Sequence, residues 1–346
     1  MAHNINFNEN TQKDSFFSVK EKAWHGLGQI VDQYPTSGEA IEHAGLNYRV
    51  QKAGLSAADL SSPNANENVP VPNFYATMRT DNGAVLGVVG KDYQIVQNRD
   101  AFTFFDSIVG GDGIMYETAG ALGKGERIFI TAKLPGYIKV GNNDLIEKYL
   151  FLTTSHDGSG SITAAFTPVR IVCANTLNAA LKNMTNVVKI RHTSNATERL
   201  RTAHKVMGIA SRFSDEVGQI FNQWAMKPIT DPQLRRLIEI AMAPNKEVLG
   251  NLKDGKVNAL STQFINIVED VYEYALSNPT QQMSTTMGTV YGAYNAVTGY
   301  FQNVRKFQDE EAKLKSIILG GTAQIRSQTA FNLCTDFALR GQASLN

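Results

Sequence analysis

Arg127, Phe129, Thr131 and Lys133 alternate along the chain with Ile128, Ile130, Ala132 and Leu134. Alternate residues of a strand share a face, so one face here carries cations and a ring while the other is aliphatic. The pattern continues: Tyr149, Phe151 and Thr153 alternate with Leu150, Leu152 and Thr154, and Phe166, Pro168 and Arg170 share a side. Cations interleaved with aromatics suit a single-stranded nucleic acid, because the charges meet phosphates while the rings stack on bases. The competing reading buries Phe129, Phe151 and Phe166 beneath a helix and leaves the charges at strand ends. Just downstream, Lys182, Lys189, Arg191, Arg199, Arg201 and Lys205 are opposed only by Glu198, and Arg201, Lys205 and Arg212 form one helical stripe. The expected interface is therefore Arg127, Lys133, Arg170, Lys182, Lys189, Arg191, Arg201 and Lys205. It would grip backbone phosphates with little preference among bases.

Other chemistry-bearing residues point elsewhere. His25 in WHGLG has no neighbour at metal-ligand spacing and reads as part of a turn. His156-Asp157 has the types for acid–base work, but it precedes Gly-Ser-Gly, where Asp-Gly is turn chemistry. His192 and His204 belong to the basic cluster, either as phosphate contacts or as surface histidines. Cys173 sits in the apolar run RIVCAN, which keeps a thiol protonated; with Cys334 it reads as a buried free thiol of a reducing compartment. GGDG (110–113) and GALGKGER lack P-loop spacing, and the second falls between strands, which argues against nucleotide hydrolysis. Glu117, Glu126, Asp144 and Glu147 form no pairing that spacing can certify. The expectation is a protein with no catalytic site, metal or cofactor.

Composition sets the frame around these residues. With 33 Lys+Arg against 32 Asp+Glu in 346 residues, any nucleic acid must be held by a local patch. A hydrophobic fraction of 42% supports a sizeable core. The start, MAHNINFNENTQKDS, has neither a basic stretch nor an apolar run, and no window approaches the ~20 apolar residues of a membrane span. A cytoplasmic protein with no membrane contact is expected.

The elements that must position the site follow from punctuation and period. Residues 1–15 are polar and Asn-rich and read as a flexible tail. Residues 16–72 hold a short helix after Ser37 and a Ser/Asn/Pro-rich linker from Ser56 to Asn73. NFYATMR and AVLGVVG flank Asp81-Asn82-Gly83, a hairpin signal. Asn98 caps a helix over RDAFTFFDSIV, and strands then run to a helix in NTLNAALKN. Residues 73–190 thus read as an α+β domain, an antiparallel sheet with helices on one face. From 195 to 346 the apolar period is helical, in segments bounded by Pro228, Pro244, Leu276 and Gly320-Gly321. Gly288, Gly292, Ala296 and Gly299 line one of these helices as a stripe of small residues where another helix could approach closely.

WHGLG, VGKDYQIVQNRDAF, RIFITAKL, SHDGS, PVRIVCANTLNAAL, IRHT and GTVYGAYNAV together resemble the phage/plasmid-like protein family of bacterial mobile elements, a domain of unknown function. The resemblance implies a phage or plasmid gene acting in a bacterial cytoplasm. The helix–hairpin–strands–helix order of 98–183 is also similar, more distantly, to ring-forming single-strand annealing proteins. That similarity implies a homo-oligomer whose basic groove holds DNA. The expected function is non-enzymatic single-stranded DNA binding, with annealing as its use. The alternative is a module that docks a host protein through the stripe at 288–299, in an anti-defence or virion-associated role.

Overall fold

The protein is described by a computed structural model covering residues 5–9, 11–20, 27–59, 68–109, 115–167, 187–192, 198, 215–308, 312–313, 316–317 and 321–345. Its spine is a long hairpin of β9 (Arg127–Val140) and β10 (Asp144–Ser155). Around it a seven-stranded sheet runs in the order β12-β11-β10-β9-β8-β3-β4. Here β3 is Phe16–Val19, β4 Gln29–Val31, β8 Met115–Leu122, β11 Ile162–Thr167 and β12 Val187–Ile190. Every pairing is antiparallel except β3 with β4, which is parallel. The α+β class holds, but the sheet is mixed rather than antiparallel throughout. The N-terminal segment supplies the exception: Phe17, Ser18 and Val19 pair in parallel with Gln29, Ile30 and Val31.

A separate three-stranded sheet contains β5 (Val50–Ala58), β6 (Asn68–Arg79) and β7 (Val85–Gly90) in that order. The Asn-Gly hairpin forms as its residues predict: Gly83 takes φ +73° and Asn82 Oδ1 accepts from the Ala84 N–H. Much of the expected linker is strand, since Ser56, Ala57 and Ala58 pair with Pro70, Val69 and Asn68. Prolines are tolerated there because β7 pairs only with Phe74–Met78, leaving the Pro70 stretch one neighbour instead of two.

The expected tail is also built in. β1 (Phe7–Asn8) pairs with β2 (Lys13–Asp14), Ile5 bridges to Leu122, and Ile5, Asn6 and Ser15 are buried. Ser15 and Asn6 exchange backbone bonds with Ala121 on β8. A polar composition hid this, because the buried asparagine and serine are satisfied by hydrogen bonds rather than by hydrophobicity.

Two helices stand beside the strands, α1 (Ser37–His43), closed by a Thr36–Glu39 capping box, and α2 (Asn98–Val109). The C-terminal half is helical: α3 spans 215–225, α4 Asp231–Met242, α5 Lys246–Lys253, α6 Thr262–Ser277, α7 Val290–Gly299 and α8 Thr322–Arg340. α7 is buried all round. Its glycines explain how: a Cβ on Gly292 would sit 1.8 Å from the Thr286 carbonyl oxygen, and one on Gly299 2.4 Å from the Tyr274 ring. Gly292, Ala296 and Gly299 of the small-residue stripe are thus used inside the molecule, while Gly288 is exposed. One contiguous apolar core links the sheet residues Ile128, Ile130 and Leu150 to Trp224, Val271, Tyr294 and Phe331 of the helices. Among the described residues, no helix is long and apolar enough to cross a membrane.

Candidate nucleic-acid interface

The turn 156–161 between β10 and β11 is held from three sides. The His156 N–H donates to the Glu126 carbonyl at 2.7 Å, Thr77 Oγ1 on β6 donates to the His156 carbonyl at 2.7 Å, and the Tyr93 hydroxyl donates to the Ser155 carbonyl at 2.8 Å. Asp157 Oδ1 accepts from the Ser159 N–H at 2.8 Å, and Gly158 takes φ +79°, as Asp-Gly turn chemistry requires. β7 approaches so closely that a Cβ on Gly87 would lie 2.5 Å from Asp157 Cα.

His156 itself is fully buried. Asn98 Nδ2 donates to the Leu46 carbonyl, so its Oδ1 faces His156 and takes a hydrogen bond from Nε2 at 2.8 Å. Burial, then the neighbouring His192, pushes the His156 pKa down to about 4. It is a neutral structural group, in line with the turn reading.

Beside this turn opens a cavity of about 460 Å³. Its floor is a row across three strands, Thr153 on β10 opposite Thr163 on β11, and Thr163 opposite Lys189 on β12. Arg127 enters from β9 and donates through Nη2 to Ser159 Oγ at 3.2 Å. Tyr93 and His192 close one rim as a stacked pair, centroids 4.8 Å apart. Hydroxyls of Thr153, Ser155, Ser159, Ser161 and Thr163 and the backbone at Gly158 and Gly160 complete a lining whose charged residues are Arg127 and Lys189. The Asp157 carboxylate lies within electrostatic reach of Arg127, while the two cations and the hydroxyl groups offer charge and donors to a phosphate oxygen.

The structure brings Arg127 and Lys189 together, with Arg191 exposed two residues beyond Lys189. Lys133 is separate. It pairs with Glu147, whose second oxygen accepts from the Tyr149 hydroxyl. Burial works against the Lys133 ammonium, but the Glu147 hydrogen bond and charge outweigh it and raise its pKa. Lys133 is therefore neutralised and leaves the expected track. Arg170, Lys182, Arg201 and Lys205 lie outside the described residues, as do His25, Cys173 and His204.

The aromatic face is corrected outright: Phe129 is 4% exposed, Phe151 1% and Tyr149 1%. The Phe16 ring from β3 sits 6.1 Å from Phe129. Alternation marked two faces correctly, but both faces are covered. Tyr93, the serines of the turn and Thr163 escaped the sequence reading; the density of Ser, Thr and Gly in TTSHDGSGSIT was the available signal.

Residues 85–318 match the family described as Domain of unknown function (DUF932). No curated protein and no solved structure matches the chain.

Proposed function

We propose, from the premise that the chain belongs to the DUF932 family, that it is a single-stranded DNA-binding protein seating backbone phosphate in the Arg127–Lys189 cavity. The observation that carries this reading is the convergence of those two cations on a hydroxyl-lined cavity with a Tyr93–His192 stack at its rim. Cations neutralise phosphate while the partly exposed Tyr93 ring, backed by the buried His192, is available to a base, so binding depends on salt more than on sequence. Arg191, exposed next along the chain, extends the track. Action as a homo-oligomer, strand annealing, and a setting on a bacterial phage or plasmid belong to the same proposal. The docking alternative would use Gly288 and other exposed faces of the helical half, since Gly292, Ala296 and Gly299 are buried.

The test is fluorescence anisotropy with a labelled oligothymidylate over a salt series, with mass photometry of the same samples. Wild type binds at low salt with affinity falling steeply as salt rises. Lys189→Ala and Arg191→Ala each reduce the slope of log affinity against log salt by about 0.7. Arg127→Ala weakens binding further, because Ser159 loses its donor. Lys133→Met leaves the affinity unchanged while lowering stability, since Glu147 loses its partner. Absence of binding at low salt, or equal loss with Lys133→Met, sinks the proposal.

A further inference from the structure

At the opposite end of β10, a second cavity of about 380 Å³ lies between the strand and helices α6 and α7. Its chemistry is the reverse of the first. Among the described residues, Asp144 and Glu147 are its charged residues, and no Lys, Arg or His lines it. Lys133 already satisfies Glu147. Asp144 Oδ2 accepts from Thr285 Oγ1 at 3.0 Å, and its Oδ1 has no partner among the described residues. The carboxyl of Asp144 is destabilised as an anion, because burial raises its pKa against the Thr285 hydrogen bond.

Gln281 lines the same space, is 3% exposed, and its side-chain amide makes no hydrogen bond among the described residues. An amide at a cavity wall without a protein partner has its oxygen and its N–H groups available to a ligand. Gln302 adds a carbonyl oxygen, its Nε2 being engaged by the Thr298 carbonyl at 2.9 Å. Rings of Tyr149, Tyr274 and Tyr291 form apolar walls. Gln302 sits in the widened π-helical turn Tyr300–Val304 after α7, where the Arg305 N–H reaches back to the Tyr300 carbonyl. Such turns recur at functional sites because they turn side chains out of helical register.

We propose that this cavity binds a small organic cation of the amine class. Asp144 is its counter-charge, the oxygens of Gln281 and Gln302 accept its N–H groups, and tyrosine rings face its charge. An anion would meet hydroxyl and amide donors here but, among the described residues, no cation, and two carboxylates would repel it. A neutral ligand would leave the half-buried Asp144 without a counter-charge, the costlier arrangement. Ammonium against aromatic faces and a carboxylate is favourable on both counts.

The experiment is calorimetric titration of the full chain with putrescine, agmatine and tetramethylammonium, with neutral butanediol in parallel. At least one of the three cations binds saturably and butanediol does not. Asp144→Asn, which keeps an acceptor for Thr285, weakens that binding at least tenfold with the melting temperature retained. Gln281→Met, which leaves the Asp144–Thr285 bond intact, weakens it severalfold and covers the case in which Asp144→Asn fails to fold. Lys189→Ala, at the other cavity, leaves it unchanged. Silence from all three cations, equal binding of butanediol, or undiminished binding by folded Asp144→Asn or Gln281→Met overturns the proposal.

Discussion

His156, buried at the base of the turn, shapes how the protein responds to pH. It is held neutral, with a folded pKa of about 4, by burial and by His192, while Asp157 opposes and Arg79 adds to the effect. An unfolded histidine titrates near 6.5, so between those values the unfolded chain binds the extra proton. The contribution is fully present above pH 6.5 and is lost as pH falls toward 4, by about 3 kcal/mol at most. Urea midpoints measured from pH 7 to pH 4.5 should fall accordingly. In His156→Asn that acid-side slope should flatten, at the expense of lower stability at neutral pH; an unchanged slope would show that other groups cause it. Lys133 teaches the complementary point. Its strand position was legible, but its partner Glu147 lies on the neighbouring strand and is brought beside it only by the β9–β10 register.

At the scale of elements, the turn 156–161 is placed by β7 more than by its own residues. Gly87 leaves no room for a side chain against Asp157, and Thr77 on β6 holds the His156 carbonyl. Gly87→Ala should therefore push the turn outward, with a cost of about 1–3 kcal/mol from overpacking. The melting temperature should drop, and DNA affinity should fall more than in an equally destabilised variant distant from the turn. If affinity holds while stability drops, β7 does not position the cavity. The hairpin of β6 and β7 was readable from Asn-Gly between apolar runs. Its contact with the turn, some seventy residues downstream in sequence, was not, because turn signals carry information only about their own neighbours.

For the molecule as a whole, the buried guanidinium of Arg79 joins parts of the chain that composition would have kept separate. It holds Asp81 through two bonds at 2.9 and 2.6 Å and reaches Asn6 Oδ1 at 3.2 Å and the Lys124 carbonyl at 3.0 Å. Its carbon Cζ lies 3.8 Å from the Tyr48 ring centroid. Deleting residues 1–15 would strip Asn6 from this group and Ile5 from Leu122. The lost apolar burial is worth about 1.5–3 kcal/mol and the unsatisfied donor about 1–3 kcal/mol more. Calorimetry of the deletion variant should show a melting temperature several degrees lower; an unchanged value would restore the picture of a loose tail. β10 also separates charge along its length, with cations at the Ser155 end and carboxylates at the Asp144 end. Net charge near zero concealed both.

Local pattern alone determined much of this protein: the strand alternation of β9 and β10, the Asn-Gly hairpin, the Asp-Gly turn and the helical period of the C-terminal half. Each of these is governed by residues close together in sequence, through side-chain period or backbone conformational freedom. Only the tertiary structure decided that both faces of the central sheet are covered, that Lys133 is answered by Glu147, that the N-terminal residues join the sheet, and that the Gln281 amide has no partner among the described residues beside a cavity. Those outcomes depend on which distant segments meet, and burial and pairing are properties of the meeting rather than of either segment.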